Sequence, residues 1–221
     1  MAERRLLDST ELFRALPVDV IERLRARGRQ LTLEKGDLLF AQGDPSHELF
    51  MIVAGRVAVS TRSTDGRESM VAVLEAGGLF GELGLFDDEP RSAEARALTD
   101  SELYAVEYED VRGELRNRPE LLWVVVKLLA QRLRATDEAL ADAVFLDVPA
   151  RTAKRMLELA GNEDEFRLAM TQEDLASLVG ASRERVNKAI AMFTKLGWVE
   201  ASARGKYKII DREQLELRAN P

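Results

Sequence analysis

Hydrophobic and polar positions in the first half of the chain alternate in short blocks. The clearest apolar runs are Leu49–Val53, Val57–Val59 and Met70–Leu74. They are rich in β-branched residues, which is typical of strands, and turn signals separate them. The turn signals are Gly43–Asp44, Asp65–Gly66 and Gly77–Gly78, since glycine reaches positive φ at little cost. Short strands with regular turns predict a small barrel or roll over about residues 36–106.

Beyond Pro119 the pattern becomes helical. Apolar residues recur at alternating steps of four and three, the repeat of a coiled coil. These residues are Leu122, Val126, Leu129, Leu133, Leu140 and Ala143. Pro119 fits the first helical position, and we expect the helix to run to about Val144. Thr136 interrupts the apolar stripe. It is a polar insertion that fixes register, a residue of a helix buried on its own domain, or a hydroxyl on a dimer seam that can contact something both subunits share.

The segment Val144–Arg151 breaks this helix, because Pro149 disfavours a helical conformation at the residue before it. We place a hinge there and expect a helix from Ala150 to about Ala160, then a solvated acidic loop over Gly161–Glu165. The predicted domains are residues 1–118, 119–145 and 146–221.

Two short helices joined by a glycine follow. Thr171 is a candidate N-cap with Asp174 in the capping-box position. Gly180 ends the first helix in the left-handed conformation, and Ser182 caps the second. This order is the helix-turn-helix pattern, although a three-helix bundle with no role in DNA binding has the same pattern. The segment from Trp198 to Ile210 then predicts a β-hairpin.

The composition of the chain excludes several classes of function. The chain of 221 residues has no cysteine, which excludes disulfides, thiol catalysis and a cysteine-bound iron–sulfur cluster. Its single histidine, His47, lies in a polar turn and is expected to be solvated, so neither haem nor a metal ion is expected. No catalytic triad or P-loop motif occurs, and we do not expect an enzyme. No bilayer-spanning run or signal peptide is visible, which predicts a cytoplasmic protein without a membrane partner.

The net charge of −7 is unevenly distributed. From Leu146 onward the chain has 13 Lys and Arg against 12 Asp and Glu, so the negative charge lies in the first part. Within Arg183–Lys208, seven basic residues face only two acidic ones, Glu184 and Glu200. Local rather than total charge governs the approach to DNA.

The most informative segment is Phe80–Ala93, called the cassette below. Gly81 lets the backbone approach a ligand closely, and Glu82 can accept hydrogen bonds from a ribose hydroxyl. Arg91 offers planar, charged donors to phosphate oxygens, and Ser92 adds a hydroxyl and an amide. The alternative is a surface turn with a structural Arg–Glu ion pair.

With the turns around it, this segment resembles the cyclic-nucleotide-binding β-roll of the cyclic-AMP receptor (CRP–FNR) family. The resembling residues are Gly36, Asp37, Gly43, Asp44, Leu49, Phe50, Gly55, Gly66 and the cassette. The resemblance implies that cAMP is the effector, with its ribose on Gly81 and Glu82 and its phosphate on Arg91 and Ser92. It also implies that the long helix forms a homodimer.

The adenine is assigned by the same resemblance to the long helix. A family threonine that reaches the adenine matches Thr136, and Asp137 stands where the family usually has a neutral serine or asparagine from the opposite subunit. The candidate cAMP-binding residues are Gly81, Glu82, Leu83, Arg91, Ser92, Thr136 and Asp137.

The segment Gly180–Glu184, followed by Val186, resembles the recognition helix of the family. Arginine and lysine can bond guanine and glutamate can accept from cytosine, so the family's base-reading roles carry onto Arg183, Glu184 and Lys188. The candidate DNA-binding residues are Thr171, Gln172, Ser182, Arg183, Glu184, Arg185, Lys188, Arg204 and Lys206.

The implied fold is α+β: an N-terminal cyclic-nucleotide-binding β-roll, a long dimerisation helix and a C-terminal winged helix-turn-helix. The implied partner is double-stranded DNA with palindromic half-sites related to TGTGA/TCACA, and RNA polymerase is left open. Three alternatives remain: a regulator that binds DNA without a nucleotide, a nucleotide-binding module that acts on a protein partner, and cyclic GMP as the effector.

Overall fold

The computed structural model describes residues 17–63, 68–168, 170–202 and 205–220. The chain divides into two compact units, Met1–Arg134 and Ala135–Pro221, called the first and second unit. The described elements of the first unit are α1 (Val18–Arg27), β1 (Arg29–Leu33), β2 (Leu38–Phe40), β3 (Glu48–Ala54), β4 (Arg56–Arg62), β5 (Glu68–Glu75), β6 (Leu79–Phe80), α2 (Leu83–Asp87), β7 (Glu94–Ala97), β8 (Ser101–Glu107), α3 (Tyr108–Asn117) and a 3₁₀ turn (Pro119–Leu121).

The strands of the first unit form two antiparallel four-stranded sheets, ordered β1-β8-β3-β6 and β2-β7-β4-β5. The predicted roll is therefore confirmed, and the three apolar runs fall in β3, β4 and β5. Positive φ is observed at Gly43 and Gly77, as the turn signals require. The predicted Asp65–Gly66 turn lies outside the described residues.

Side chains from both sheets form the core of the roll. Phe50, Phe80 and Leu103 from one sheet meet Val57 and Ala95 from the other. The rings of Phe50 and Phe80 stack with their centroids 5.4 Å apart. Because Phe80 is the first residue of the cassette, this aromatic core fixes the point where the cassette begins.

A second apolar cluster holds the helices of the first unit against the roll. Val20 and Leu24 of α1 pack with Met51 of β3 and Leu121 of the 3₁₀ turn. None of α1, α2 and α3 was expected from the sequence pattern. Helices α1 and α3 have only ten residues each and α2 has only five, which is too short to produce a clear helical period.

Helix α4 runs from Leu122 to Phe145, and the division between the two units falls within it. The expected long helix is confirmed, although Pro119 starts the 3₁₀ turn rather than the helix itself. The predicted domain limits at residues 118 and 145 remain predictions. Among the described residues, no helix is long and apolar enough to cross a membrane.

The second unit continues with α5 (Val148–Ala160), β9 (Glu165–Arg167), α6 (Gln172–Val179), α7 (Arg183–Lys195), β10 (Val199–Ser202), β11 (Lys206–Ile209) and α8 (Arg212–Ala219). Helix α5 begins two residues before the expected start. Asp147 caps it by accepting a hydrogen bond from Ala150 N at 2.9 Å, and Pro149 is tolerated in the first turn. The prediction that Val148 is not helical was wrong for that reason.

The helix-turn-helix pattern is confirmed in detail. Thr171 and Asp174 form a reciprocal capping box, Gly180 is left-handed with φ 68°, and Ser182 caps α7. Helix α7 buries Val186 and Phe193 on its inner face.

Strands β10 and β11 form the predicted hairpin, and β9 adds a third antiparallel strand to it. The segment expected to be a solvated acidic loop therefore ends in a strand, because Glu165 pairs with Lys208 across the sheet. Helix α8 was not expected from the sequence.

Candidate functional site

The cassette begins where β6 leaves the sheet beside β3. Strand pairing sets Phe80 opposite Phe50, and Gly81 follows with φ 75°, a conformation that favours glycine. A Cβ on Gly81 would lie 2.6 Å from Nη1 of Arg91. Glycine is therefore required both for the backbone turn and for the close approach of the guanidinium.

Arg91 points into the protein and is only 7% exposed. Its Nη1 donates to the carbonyl oxygen of Gly81 at 2.8 Å, and its Nη2 donates to that of Glu48 at 2.8 Å. The guanidinium carbon lies 4.2 Å from the ring centroid of Phe40, a cation–π contact. Burial lowers the pKa of Arg91 below its usual value, although an arginine remains protonated.

The backbone of Arg91 is held as firmly as its side chain. Its N–H donates to the carbonyl of Asp44 at 2.9 Å, and its carbonyl accepts from Gly43 at 2.8 Å. The turn signal read from the sequence at Gly43–Asp44 thus anchors the cassette. The Nε of Arg91 is buried and has no hydrogen-bond partner among the described residues.

Tyr108 belongs to the same site and was missed by the sequence analysis. Its hydroxyl bonds the carbonyl of Gly81, lies 2.5 Å from Oγ of Ser46 and accepts from Nη1 of Arg91 at 3.3 Å. No local motif marks Tyr108, because its partners lie 17 to 62 residues away in the sequence. Together these groups fix the peptide on which Gly81 turns.

Glu82 is the most deeply buried charged residue of the cassette, with 2% exposure. Its Oε1 accepts from Nη1 of Arg132 on α4, whose Nη2 bonds the carbonyl of Leu79. Its Oε2 is buried and unpartnered among the described residues. Leaving a buried acceptor unpaired costs about 1–3 kcal/mol, so this oxygen is suited to a hydroxyl donor from a ligand.

Arg132 is the second residue that the sequence analysis missed. It lies one turn before Thr136 on α4, and this spacing is the only sequence signal that could have identified it. The structure brings Gly81, Glu82, Arg91 and Arg132 together, whereas Leu83 and Ser92 are exposed beside them. Thr136 and Asp137 are also exposed, on the part of α4 that belongs to the second unit.

The predicted seam of α4 is an exposed apolar face in this single chain. Leu122, Val126, Leu133 and Leu140 are all exposed, and none of the residues of α4 is buried. Trp123 is 75% exposed at the same end as Leu122. A contiguous apolar helix face of this kind is typical of a helix that packs against a partner.

In the second unit, the charged residues of α7 face solvent. Arg183, Glu184, Arg185 and Lys188 are all exposed, while Val186 between them is buried. Lys188 Nζ lies 2.7 Å from Oε1 of Glu184, one turn away, and this hydrogen bond lowers the pKa of Glu184. Two of the three predicted base readers are therefore paired with each other in the free protein.

Gln172 links α6 to the hairpin. Its Nε2 donates to the hydroxyl of Tyr207 at 2.7 Å, and its Oε1 is buried without a partner among the described residues. Thr171, Ser182 and Lys206 are exposed, and Lys206 lies at the start of β11. Arg204 lies outside the described residues.

A metal site is not apparent: residues 17–63, 68–168, 170–202 and 205–220 contain no group of three or more His, Cys, Asp or Glu side chains placed to hold an ion.

Family models match both units. A model of the cyclic nucleotide-binding domain matches residues 30–118, and one of the Crp-like helix-turn-helix domain matches residues 150–218. The chain is 36% identical over 222 residues to the "CRP-like cAMP-activated global transcriptional regulator" of Mycobacterium tuberculosis, covering 97% of this chain and 98% of that protein.

Solved structures agree with these matches. The catabolite activator protein of Thermus thermophilus is 30% identical, with a TM-score of 0.55 over 95% of this chain and 98% of that one. FixK2 of Bradyrhizobium japonicum is 18% identical, with a TM-score of 0.79 over 88% of this chain and 98% of that one. At that identity FixK2 supports the fold alone.

Proposed function

Since this chain belongs to the cyclic-AMP receptor (CRP–FNR) family of transcriptional regulators, we propose that it is a cAMP-responsive, sequence-specific DNA-binding regulator. It acts in the cytoplasm as a homodimer on palindromic sites and catalyses no reaction. The observation that carries the ligand part is the pair of buried, unsatisfied polar atoms in the cassette, Nε of Arg91 and Oε2 of Glu82. One is a cationic donor and the other an anionic acceptor.

A cyclic nucleotide satisfies both atoms at once. Its anionic phosphate accepts from Arg91 and from the exposed Ser92, and its ribose hydroxyl donates to Glu82. The backbone at Gly81 and Leu83 adds close contacts without a side chain in the way. No metal ion, haem or iron–sulfur cluster takes part. Cyclic AMP is favoured because the relative from Mycobacterium tuberculosis is named as cAMP-activated.

Adenine recognition is assigned to Thr136 and Asp137. Both are exposed on the same helix as the apolar residues Leu133 and Leu140. A second copy of the chain that packs on this face places its own Asp137 near the seam, where the carboxylate can accept from the exocyclic amine of adenine. This arrangement makes the nucleotide site dependent on the dimer.

DNA recognition is assigned to the exposed start of α7. Arg183 and Lys188 bond guanine, Glu184 accepts from cytosine, and Arg185 contacts phosphate. Contacts to the phosphate backbone of the DNA position the protein without specifying sequence. We assign these contacts to Thr171, Gln172, Ser182, Arg204 and Lys206. The expected half-sites are TGTGA/TCACA-like, with centres one DNA turn of about 34 Å apart. RNA polymerase is a further candidate partner.

Nucleotide regulates DNA binding by shifting the population of two arrangements of the dimer. Arg132 joins the cassette to α4 through Glu82, so a ligand that contacts Glu82 acts on a residue bonded directly to the long helix. The effect on DNA affinity is limited to the differential affinity of the nucleotide for the two arrangements, typically about 1–3 kcal/mol.

The direct test is anisotropy of a fluorescent palindromic duplex, with and without cAMP. We expect cAMP to raise the affinity of the wild-type protein for this duplex but not for a scrambled one, and Arg91→Ala to remove the response. Arg116→Ala is the matched control, because Arg116 forms an exposed ion pair with Glu109 outside the cassette. A response that survives in Arg91→Ala would contradict the phosphate assignment.

One observation favours a second function, DNA binding that needs no nucleotide. Both terminal nitrogens of Arg91 already bond carbonyls of Gly81 and Glu48, so the site is partly satisfied without a ligand. In that case the same titration gives full specific affinity without cAMP. If neither duplex is bound in a salt-dependent way, the nucleotide-binding module acts on a protein partner instead.

A further inference from the structure

The connection between α4 and α5 consists of only two residues, Leu146 and Asp147. Lys154 on α5 spans it. Its Nζ lies 2.7 Å from Oε1 of Glu138 and 2.7 Å from Oδ2 of Asp142. Glu138 and Asp142 are four residues apart on α4 and therefore share one face of that helix. One lysine thus holds two successive turns of α4, an arrangement called the clamp below.

The two ion pairs of the clamp differ in their exposure to water. The side chains of Lys154 and Asp142 are 19% and 14% exposed, whereas that of Glu138 is 66% exposed. Solvent screens the outer pair, so the inner pair with Asp142 contributes more to the clamp. Burial alone would lower the pKa of Lys154, but its hydrogen bonds to Asp142 and Glu138 raise the pKa above the usual value.

The two connecting residues are tied down as well. Arg151 Nη1 donates to the carbonyl of Leu146 at 2.7 Å, and Arg218 Nη2 donates to both carboxylate oxygens of Asp147 at 2.6 Å. In agreement, the boundary between the compact units falls between Arg134 and Ala135 and not at this connection. The last turns of α4 therefore belong to the same body as the helix-turn-helix.

We propose that Lys154 is a positioning residue for DNA recognition, which fixes the direction of the helix-turn-helix relative to the end of α4. Because the clamp restricts the conformations of the two-residue connection, a movement of α4 is transmitted to α7 without loss. The proposal deepens the proposed function in one respect. Thr136 and Asp137 adjoin Glu138, so a nucleotide held by them acts on the turn that the clamp engages.

The test compares Lys154→Met, which keeps most of the aliphatic stem, with Lys154→Arg, which keeps the charge. Glu158→Gln is the matched control, because it breaks the 2.5 Å ion pair of Glu158 with Arg155 on the same helix. Each protein is titrated by anisotropy with two palindromes, one with the proposed half-site spacing and one lengthened by two base pairs, which rotates a half-site by about 70°.

We expect the wild-type protein to prefer the shorter palindrome, and Lys154→Met to reduce that preference at least threefold. Lys154→Arg should restore it, and Glu158→Gln should leave it unchanged. Calorimetry with cAMP should give nucleotide affinities within twofold of the wild-type value in all variants. A purely structural loss would instead lower binding to both palindromes equally and leave the preference intact, which would overturn the proposal.

Hydrogen exchange of the α4 amides over residues 138–145 tests the clamp without DNA or nucleotide. We expect exchange at least threefold faster in Lys154→Met and a smaller increase in Asp142→Asn, which serves as the near-isosteric variant if Lys154→Met does not fold. A wild-type protein that binds both palindromes equally would contradict the proposed dimer. The hydrogen-exchange rates alone would then test whether the clamp exists. Unchanged exchange in both variants would overturn it.

Discussion

Glu82 and Arg91 of the cassette are 2% and 7% exposed, whereas Arg183 and Lys188 at the start of α7 lie open to solvent. The cassette charges are held by carbonyls, an aromatic ring and a residue of α4. On α7, Lys188 pairs with Glu184 of the same helix at 2.7 Å, and both side chains are exposed.

The two regions therefore illustrate two kinds of charged binding surface, one with buried, fixed groups and one with exposed, flexible groups. In the cassette the groups are fixed before binding, so a ligand meets them at little further entropic cost, and changing them disturbs the fold. On α7 the long side chains are exposed and would lose conformational freedom on binding, so changing them should alter binding alone.

The largest effect is expected for Arg91→Ala. Charge-assisted hydrogen bonds contribute about 1.5–3 kcal/mol each, so cAMP affinity should fall about 100-fold in calorimetry. The carbonyls of Gly81 and Glu48 also lose a donor, and the free energy of unfolding should fall by about 1–3 kcal/mol in urea titration. Arg116→Ala should change neither quantity. If Arg91→Ala is as stable as the wild-type protein, the guanidinium is not part of the fold and the comparison fails.

Arg183→Ala is expected to cost about 1–3 kcal/mol of specific DNA affinity and to relax preference at one base pair. Because Arg183 is exposed, the free energy of unfolding should change by no more than about 0.5 kcal/mol. Anisotropy with single-base variants of the palindrome measures the first quantity and urea titration the second. Equal weakening for every sequence would make Arg183 a phosphate contact instead of a base reader.

Tyr108→Phe should have a smaller effect on the cassette. The hydroxyl is one of two donors to the carbonyl of Gly81, and Arg91 remains as the other. We expect the unfolding free energy to fall by about 1 kcal/mol, with a loss of cAMP affinity below about tenfold. Normal stability together with normal affinity would show that the hydroxyl does not hold the Gly81 peptide.

The smallest effect concerns the surface of the first unit. Hydrogen bonds from Arg118 and Arg23 lower the pKa of Asp19 from 3.8 to about 2. The ionised carboxylate is thus favoured by folding, and its contribution is complete above about pH 4 and lost as the pH falls towards 2. The stability difference between Asp19→Asn and the wild-type protein should shrink over that interval. A difference that does not depend on pH would contradict the ion-pair explanation.

The sequence predicted those parts of the fold that depend on local patterns. Strand runs, the long helix, the Thr171 capping box and the Gly180 turn are each specified by neighbouring residues, and the structure confirms them. The third strand of the hairpin and helix α8 were missed, because Glu165–Arg167 is too short to show a period and α8 has little apolar character.

The residues of the candidate site also fall into a group that local sequence could predict and a group that it could not. Gly81, Glu82 and Arg91 lie within eleven residues and could be read together, whereas Tyr108 and Arg132 reach them only through the fold. The inward direction of Arg91 could not be predicted either. It depends on the position of Phe40 and on the register that sets Phe80 opposite Phe50.

The most direct measurement is a calorimetric titration of the purified wild-type protein with cyclic AMP and, separately, cyclic GMP. We expect binding of cyclic AMP at micromolar or lower concentration and much weaker binding of cyclic GMP, because Asp137 is proposed to accept from the exocyclic amine of adenine. Absence of binding by either nucleotide would contradict the assignment of the cassette as a nucleotide site. It would leave α7 as the recognition helix of a regulator controlled in another way.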